Sequence, residues 1–239
     1  MNIVIPFRNT CGTQELEMCV KLIEKNMGEY FETIHILGDG VDFVHPRVKN
    51  HIVKEQKYNK WLDSGFLVDY FIQNINKDNE QFYLFNDDFF ITKKIISNTQ
   101  LDLYYHFSSL KERILTTYVI EPKTNILRLS AYGMNIQRFI DLFGDYENYE
   151  VHLPLLVVNP QLMSVAIKET AAADCPALKR TYYMKLLEKE CGVNKYEKIA
   201  LPHDVKFGEP LRVMQYPFFS LTDVEYKAFE KQFQKILAE

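Results

Sequence analysis

The densest chemistry in this chain lies in the segment Phe82-Tyr83-Leu84-Phe85-Asn86-Asp87-Asp88-Phe89-Phe90. An aromatic, apolar run suited to a buried strand breaks off in an amide and two adjacent carboxylates, then turns apolar again. Asn and Asp are poor strand formers, and carboxylates beside a core are costly unless something positive sits on them. At the carboxyl end of an α/β strand, where open sheets bind their ligands, a divalent cation carrying phosphate meets that need. Mg²⁺ and Mn²⁺ prefer oxygen donors and usually take one or two carboxylates, the rest being water and phosphate. The bland alternative is a solvated acidic turn. Against it, apolar residues flank the pair on both sides and anchor the turn at the core.

Three further groups have the right chemistry to serve such a site. His152 lies in Tyr149-Glu150-Val151-His152-Leu153-Pro154. A lone histidine before a proline turn is usually structural, yet an imidazole in an apolar segment is also the type of general base used near neutral pH. Lys179 and Arg180 stand early on a helical pattern that continues through Tyr182, Tyr183, Leu186 and Leu187. Basic residues on a helix are mostly solvated, but phosphoryl transfer needs a cation against developing charge, and Arg meets it bidentately. Lys57, Asn59 and Lys60 begin the helix that precedes the acidic strand. Lysines there oppose the helix dipole, which makes the three candidates for phosphate contact.

The elements that must position these residues follow from periodicity. Residues 2–7 read as a first strand ending in the polar loop Arg8-Asn9-Thr10. Residues 14–26 carry Leu16, Cys19, Val20, Leu22 and Ile23 at helical spacing, with Glu15 and Glu17 first. A second strand over 32–37 closes in Gly38-Asp39-Gly40, a turn signal. A third strand is expected over 48–53. A second helix over 60–74 has Leu62, Phe66, Leu67, Tyr70 and Phe71 as its apolar positions, and a strand over 82–85 follows. This order predicts an α/β, mainly parallel sheet, with the loop after the first strand and the Asn86–Asp88 turn at one sheet edge. Beyond residue 96 the pattern is mostly helical: a short strand over 126–129, and helices over 136–142, 160–173 and 177–191. The capping box Thr222-Asp223-Val224-Glu225 introduces a last helix reaching residue 237.

Composition bounds the rest. The 239 residues, 47% apolar and 14% aromatic, supply ample core for one domain over 1–239, with an α/β half over 1–95 and a second half over 96–239. A formal charge of −4 shows no basic excess and argues against a nucleic-acid partner. Cys11, Cys19, Cys175 and Cys191 form no CxxC pair, so reduced thiols in a cytoplasmic setting are expected rather than zinc or disulfides. The first residues carry no basic leader with a long apolar run, and no transmembrane segment is expected.

Taken in order, these segments resemble the Stealth family: bacterial capsular-polysaccharide hexose-phosphate transferases related to the eukaryotic lysosomal-enzyme N-acetylglucosamine phosphotransferase. The likeness runs through the strand and loop at 2–9, then Glu15-Leu16 through Ile23-Glu24-Lys25-Asn26, then Ile34-His35-Ile36-Leu37-Gly38-Asp39, then Lys57-Tyr58-Asn59-Lys60. The most specific match is Phe82 to Phe90; His152-Leu153-Pro154, Lys179-Arg180-Thr181-Tyr182-Tyr183 and Phe218 to Asp223 complete it. The family's first segment carries an acidic, Thr-x-Val-x-Gly-like signature, where this chain has Ile5-Pro6-Phe7-Arg8-Asn9-Thr10.

The resemblance implies a GT-A-like nucleotide-sugar fold and transfer of hexose-1-phosphate from a nucleotide-diphospho-sugar to a sugar hydroxyl, in cell-surface polysaccharide synthesis. Mg²⁺ or Mn²⁺ would sit on Asp87 and Asp88. His152, Arg180 and Asp88 form the catalytic set, with His152 as base and Arg180 against phosphoryl charge. Arg8, Asp39, Lys57, Asn59, Lys60 and Asn86 form the donor-binding set. The expected partners are a nucleotide-sugar and a saccharide acceptor, which includes a lipid-linked one at the inner membrane face. Two rivals share the fold: an ordinary glycosyltransferase that releases nucleoside diphosphate, and a non-catalytic carbohydrate-binding protein.

Overall fold

The computed structural model describes residues 1–10, 12–54, 59–97, 101–102, 104–122, 125–150, 153–192, 198–200, 218–220 and 223–239. Strand β1 (Asn2–Phe7) leads into helix α1 (Gln14–Met27), β2 (Thr33–Gly38), β3 (Val48–Ile52), α2 (Lys60–Asn74), β4 (Phe82–Leu84) and β5 (Phe89–Ile91). The middle of the chain forms β6 (Tyr104–Ser109), α3 (Leu110–Ile114), β7 (Tyr118–Ile120), β8 (Leu127–Leu129), α4 (Ala131–Phe143), β9 (Glu147–Asn148) and β10 (Leu155–Val157). Helices α5 (Pro160–Ala172) and α6 (Lys179–Cys191), strands β11 (Lys198–Ala200) and β12 (Phe218–Ser220), and helix α7 (Asp223–Ala238) complete it.

The central sheet has five strands in the order β10-β4-β1-β2-β3. Its four N-terminal strands are parallel, and β10 closes the edge antiparallel to β4. The molecule is thus a mixed α/β protein with a mostly parallel sheet, as the alternation of patterns predicts. Strand β10 lies beyond residue 96 yet pairs with β4, so the main sheet draws on both halves of the chain.

Local rules account for most boundaries. Helix α1 buries Leu16, Cys19, Val20, Leu22 and Ile23, the stripe expected from their spacing. Helix α4 starts five residues before the expected 136, because the Ser130 side chain accepts from Gly133 N and caps it. A 3₁₀ turn, Pro176–Leu178, takes up the start of the helix expected over 177–191. The expected capping threonine, Thr222, lies outside the described residues.

Helix α2 corrects its expected stripe. Asp63, Gly65, Leu67, Val68, Phe71 and Ile72 are buried, whereas Leu62, Phe66 and Tyr70 are only partly so. The helix is packed between the sheet on one side and α5 with the 3₁₀ turn on the other, so a single-sided pattern misjudges which positions are inside. An aromatic edge contact joins it to the sheet, Phe71 meeting Phe82 at 5.1 Å, and a second closes the acidic turn, Phe85 meeting Phe89 at 4.7 Å. Such pairs add roughly 0.5–1.5 kcal/mol to what burial contributes. Among the described residues, no helix is long and apolar enough to cross a membrane.

Candidate functional site

Strand order creates the site. The chain builds outward from β1 through β2 to β3, then returns across β1 to place β4 on its other side. The gap between β1 and β4 is therefore a topological switch point, where open sheets bind ligands beyond the strands' carboxyl ends. Pairing of β1 with β4 reaches only Val4 with Leu84, extended by Phe85 N donating to Val4 O at 2.9 Å. Beyond that point β1 continues against β2 alone. Residues alternate sides along a strand, so Pro6 faces β4, as Val4 does. Its missing N–H occupies a place where no strand remains to accept one. The two strands part here, with Arg8-Asn9 on one flank and Asn86-Asp87-Asp88 on the other.

Gly38 brings a third loop to the same edge. Its φ is +123°, and a Cβ there would lie 2.2 Å from Phe7 O. Only glycine allows β2 to close on β1 at this point, and Asp39 follows directly. Asp39 N donates to Phe7 O at 3.2 Å, and Asn9 N donates to Asp39 Oδ2 at 2.7 Å. The Asp39 carboxylate thus holds the loop after β1.

The acidic turn is framed by the fully buried Phe85 and Phe89, while Asn86, Asp87 and Asp88 are partly buried and Asp88 Oδ1 is itself out of solvent. Helix α1 supports it from below, where the Cys19 thiol donates to Asp87 O at 3.0 Å. Burial pushes the pKa of this thiol well up, and the carboxylates of Asp88, Glu15 and Asp87 add to the effect. The group stays protonated and serves as a donor, not as a nucleophile.

Arg180 approaches from α6. It is 5% exposed, and donates from Nη1 to Leu153 O at 2.8 Å and from Nη2 to Asn86 Oδ1 at 2.7 Å. Burial lowers its pKa, opposed by Glu150 and then Asp88; a guanidinium remains charged regardless. Lys179 beside it is equally buried, and desolvation brings its pKa down to about 8 against the pull of Glu150. Glu150 completes the cluster: its Oε1 accepts from Thr181 N at 2.9 Å at the start of α6. Burial raises the Glu150 pKa while Lys179 opposes the rise.

The other expected site residues have different placements. Arg8 turns towards α2 and pairs with the buried Asp63 at 3.1 Å. Asn59 Oδ1 caps α2, accepting from Trp61 N at 2.9 Å and Leu62 N at 3.4 Å. Lys60 is exposed, with its ammonium 5.4 Å from the Trp61 ring centre. His152 and Lys57 lie outside the described residues. The structure therefore joins Arg180 to Asn86, in the turn that carries Asp87 and Asp88, and joins Asp39 to the loop after β1.

Cys19, Asp63 and Glu150 contribute to this region and were not among the expected site residues. Asp63 had the one visible signal, a carboxylate in the first turn of the helix. Cys19 reads in sequence as part of the apolar stripe of α1.

The donor set can be weighed against a metal. Among the described residues, no three His, Cys, Asp or Glu side chains form a metal-binding group. Two adjacent carboxylates, with one oxygen shielded from solvent, fit an Mg²⁺ or Mn²⁺ ion whose remaining ligands are water and phosphate. No family model matches this chain, and no curated protein matches it.

Proposed function

We propose that this protein is a metal-dependent transferase with a GT-A-like nucleotide-sugar fold, moving hexose-1-phosphate from a nucleotide-diphospho-sugar to a sugar hydroxyl. The observation that carries the reading is the position of the Asn86-Asp87-Asp88 turn at the β1/β4 switch point, with the buried Arg180 bonded into it. A parallel sheet with an antiparallel strand beyond its acidic-turn strand supports the GT-A-like assignment.

Asp87 and Asp88 would hold Mg²⁺ or Mn²⁺, which supplies charge neutralisation of the donor diphosphate when bound. Arg180 then faces the charge that develops on the transferred phosphoryl oxygens. The acceptor oxygen bonds to the sugar-bearing phosphorus as the bond from that phosphorus to the bridging oxygen breaks, and nucleoside monophosphate leaves with that oxygen. The acceptor's proton goes to a base, for which His152 is the candidate. Positioning and electrostatic stabilisation supply most of the acceleration in such steps.

The test is product analysis with purified protein, Mn²⁺ and a panel of nucleotide-sugars and saccharide acceptors. Nucleoside monophosphate and a phosphodiester-linked product are expected. Nucleoside diphosphate would replace the assignment with glycosyl transfer, and absence of both products across the panel would remove the enzyme reading. Asp87→Asn and Asp88→Asn should each cost about 10³-fold in rate or more, because each strips charge from the metal position.

A further inference from the structure

Asp63 is a buried carboxylate that folding alone does not call for. It sits in the first turn of α2, its side chain is 4% exposed, and its Oδ2 accepts from Arg8 Nη1 at 3.1 Å. Its other oxygen, Oδ1, is out of solvent and has no hydrogen-bond partner among the described residues. A carboxylate retained for stability normally has both oxygens bonded, because an unmade hydrogen bond in the interior is costly. An apolar side chain of similar volume would serve the packing at least as well. The helix N-terminus eases the cost of the charge, yet it gives Oδ1 no partner. The role of Asp63 therefore lies in the group it holds.

That group is Arg8, which follows β1 at the point where the strand parts from β4. On one side of it Phe7 O accepts from Asp39 N at 3.2 Å, and on the other Asn9 N donates to Asp39 Oδ2 at 2.7 Å. Asn9 Oδ1 in turn accepts from Gly12 N at 2.9 Å, ahead of α1. Asp39 thus holds the backbone on both sides of Arg8, and Asp63 holds its side chain. The side chain nevertheless remains 44% exposed. A guanidinium is a rigid fork with several N–H donors, and a bond from one Nη leaves the rest of the fork to meet an incoming anion. The helix that carries Asp63 also packs on the 3₁₀ turn leading into Lys179 and Arg180, so its placement is tied to both cationic flanks of the site.

We propose that Asp63 is a positioning residue: it orients Arg8 so that the guanidinium is already immobilised when it meets the phosphates of a diphosphate ligand. The proposal rests on the reading above in taking the donor diphosphate as that anion, and Asp63 itself touches no ligand. Two effects compete. The Asp63 carboxylate repels an anion, but from deeper in the protein and past a guanidinium half in water, where the interaction is screened. An untethered arginine, by contrast, must be immobilised as the ligand binds, and its long side chain loses much rotamer freedom. The second effect is the larger, so Asp63 favours binding.

Titration calorimetry of the full chain with inorganic pyrophosphate and Mg²⁺ tests it. The wild type should bind. Arg8→Gln should weaken binding about tenfold or more, and Asp63→Asn, which keeps the size of the side chain, about fivefold. Added to Arg8→Gln, Asp63→Asn should cost nothing further, because no cation remains to orient. Arg8→Gln strands a buried carboxylate; if it fails to fold, the double variant, neutral at both positions, sets the affinity that Asp63→Asn must exceed. A second readout is ¹⁵N relaxation of the Arg8 Nε–H group without ligand, rigid in the wild type and mobile in Asp63→Asn. Equal or tighter binding by Asp63→Asn overturns the proposal. So do an equal loss from that change with and without Arg8, an Arg8 side chain equally mobile in both proteins, and a wild type that does not bind pyrophosphate. Failure of the transferase reading registers separately, as absence of nucleotide products, and pyrophosphate binding that depends on Arg8 and Asp63 would stand without it.

Discussion

Arg180 donates from Nη2 to Asn86 Oδ1 at 2.7 Å, a bond that ties the start of α6 to the acidic turn after β4 across 94 residues of sequence. The same guanidinium holds Leu153 O at 2.8 Å, so one planar fork spans the turn after β4 and the segment that enters β10, the strand paired with β4.

Arg180→Lys separates charge from that geometry. An ammonium keeps the cation but cannot reproduce the rigid fork. Losing these charged hydrogen bonds should cost roughly 1.5–3 kcal/mol in urea unfolding. If Arg180 faces the transferred phosphoryl group, kcat should fall about 10²–10³-fold while KM for the donor changes little. A normal kcat with a raised KM would instead assign it to donor binding alone.

Gly38→Ala tests the handover from β2 to Asp39. The new Cβ would stand 2.2 Å from Phe7 O at a backbone φ of +123°, so the strand end must move. The expected loss is on the order of 3 kcal/mol. Hydrogen exchange of the Asn9 amide, which donates to Asp39, should quicken more than exchange in the distant α5.

The sheet also contains a pH-sensitive pair. His35 Nδ1 and His51 Nε2 lie 3.0 Å apart, one donating and one accepting, with His35 packed edge-on to Phe71. Burial, then His51 and Lys49, lowers the His35 pKa to about 4; burial and Lys49 lower that of His51 as well. Both histidines are kept neutral by the fold, whereas the unfolded chain takes up protons below about 6.5. The stability they contribute is complete above that pH and is lost as pH falls towards about 4. For His35 the loss is of the order of 3 kcal/mol. His35→Asn, which retains a donor near Nδ1, should flatten the melting temperature over this range, and an unchanged pH slope would show that other groups set it.

Glu150 compensates two buried cations. Glu150→Gln keeps an acceptor for Thr181 N but removes the charge opposing Lys179 and Arg180. A loss of about 3 kcal/mol is expected, since breaking a buried pair strands the remaining charge. Adding Lys179→Met should recover part of it in a double-mutant cycle. Simple additivity would mean that the two side chains do not interact.

Patterns confined to a few neighbouring residues set much of this protein before any folding is considered. The stripe of α1, the extents of β1 and α2, and the break from Phe85 into Asn86-Asp87-Asp88 are all local, governed by backbone propensity and by side-chain period. The chemistry of the acidic turn was legible for the same reason, because adjacent carboxylates inside an aromatic run need no partner to be noticed.

Tertiary structure alone decided where that turn stands. Placing β4 on the far side of β1 from β2 depends on pairing between segments some 80 residues apart, and period-two patterns carry no information about which strands become neighbours. Pro6 gains its place only from the tertiary structure, because it stands where β4 parts from β1. Arg8 is expected from its loop to meet the donor diphosphate; that it also pairs with Asp63, buried by the two-sided packing of α2, only the tertiary structure shows. Cys19 and Glu150 acquired their roles in the same way. A thiol or a carboxylate becomes a positioning group only through what packs against it, and packing is set by the whole chain.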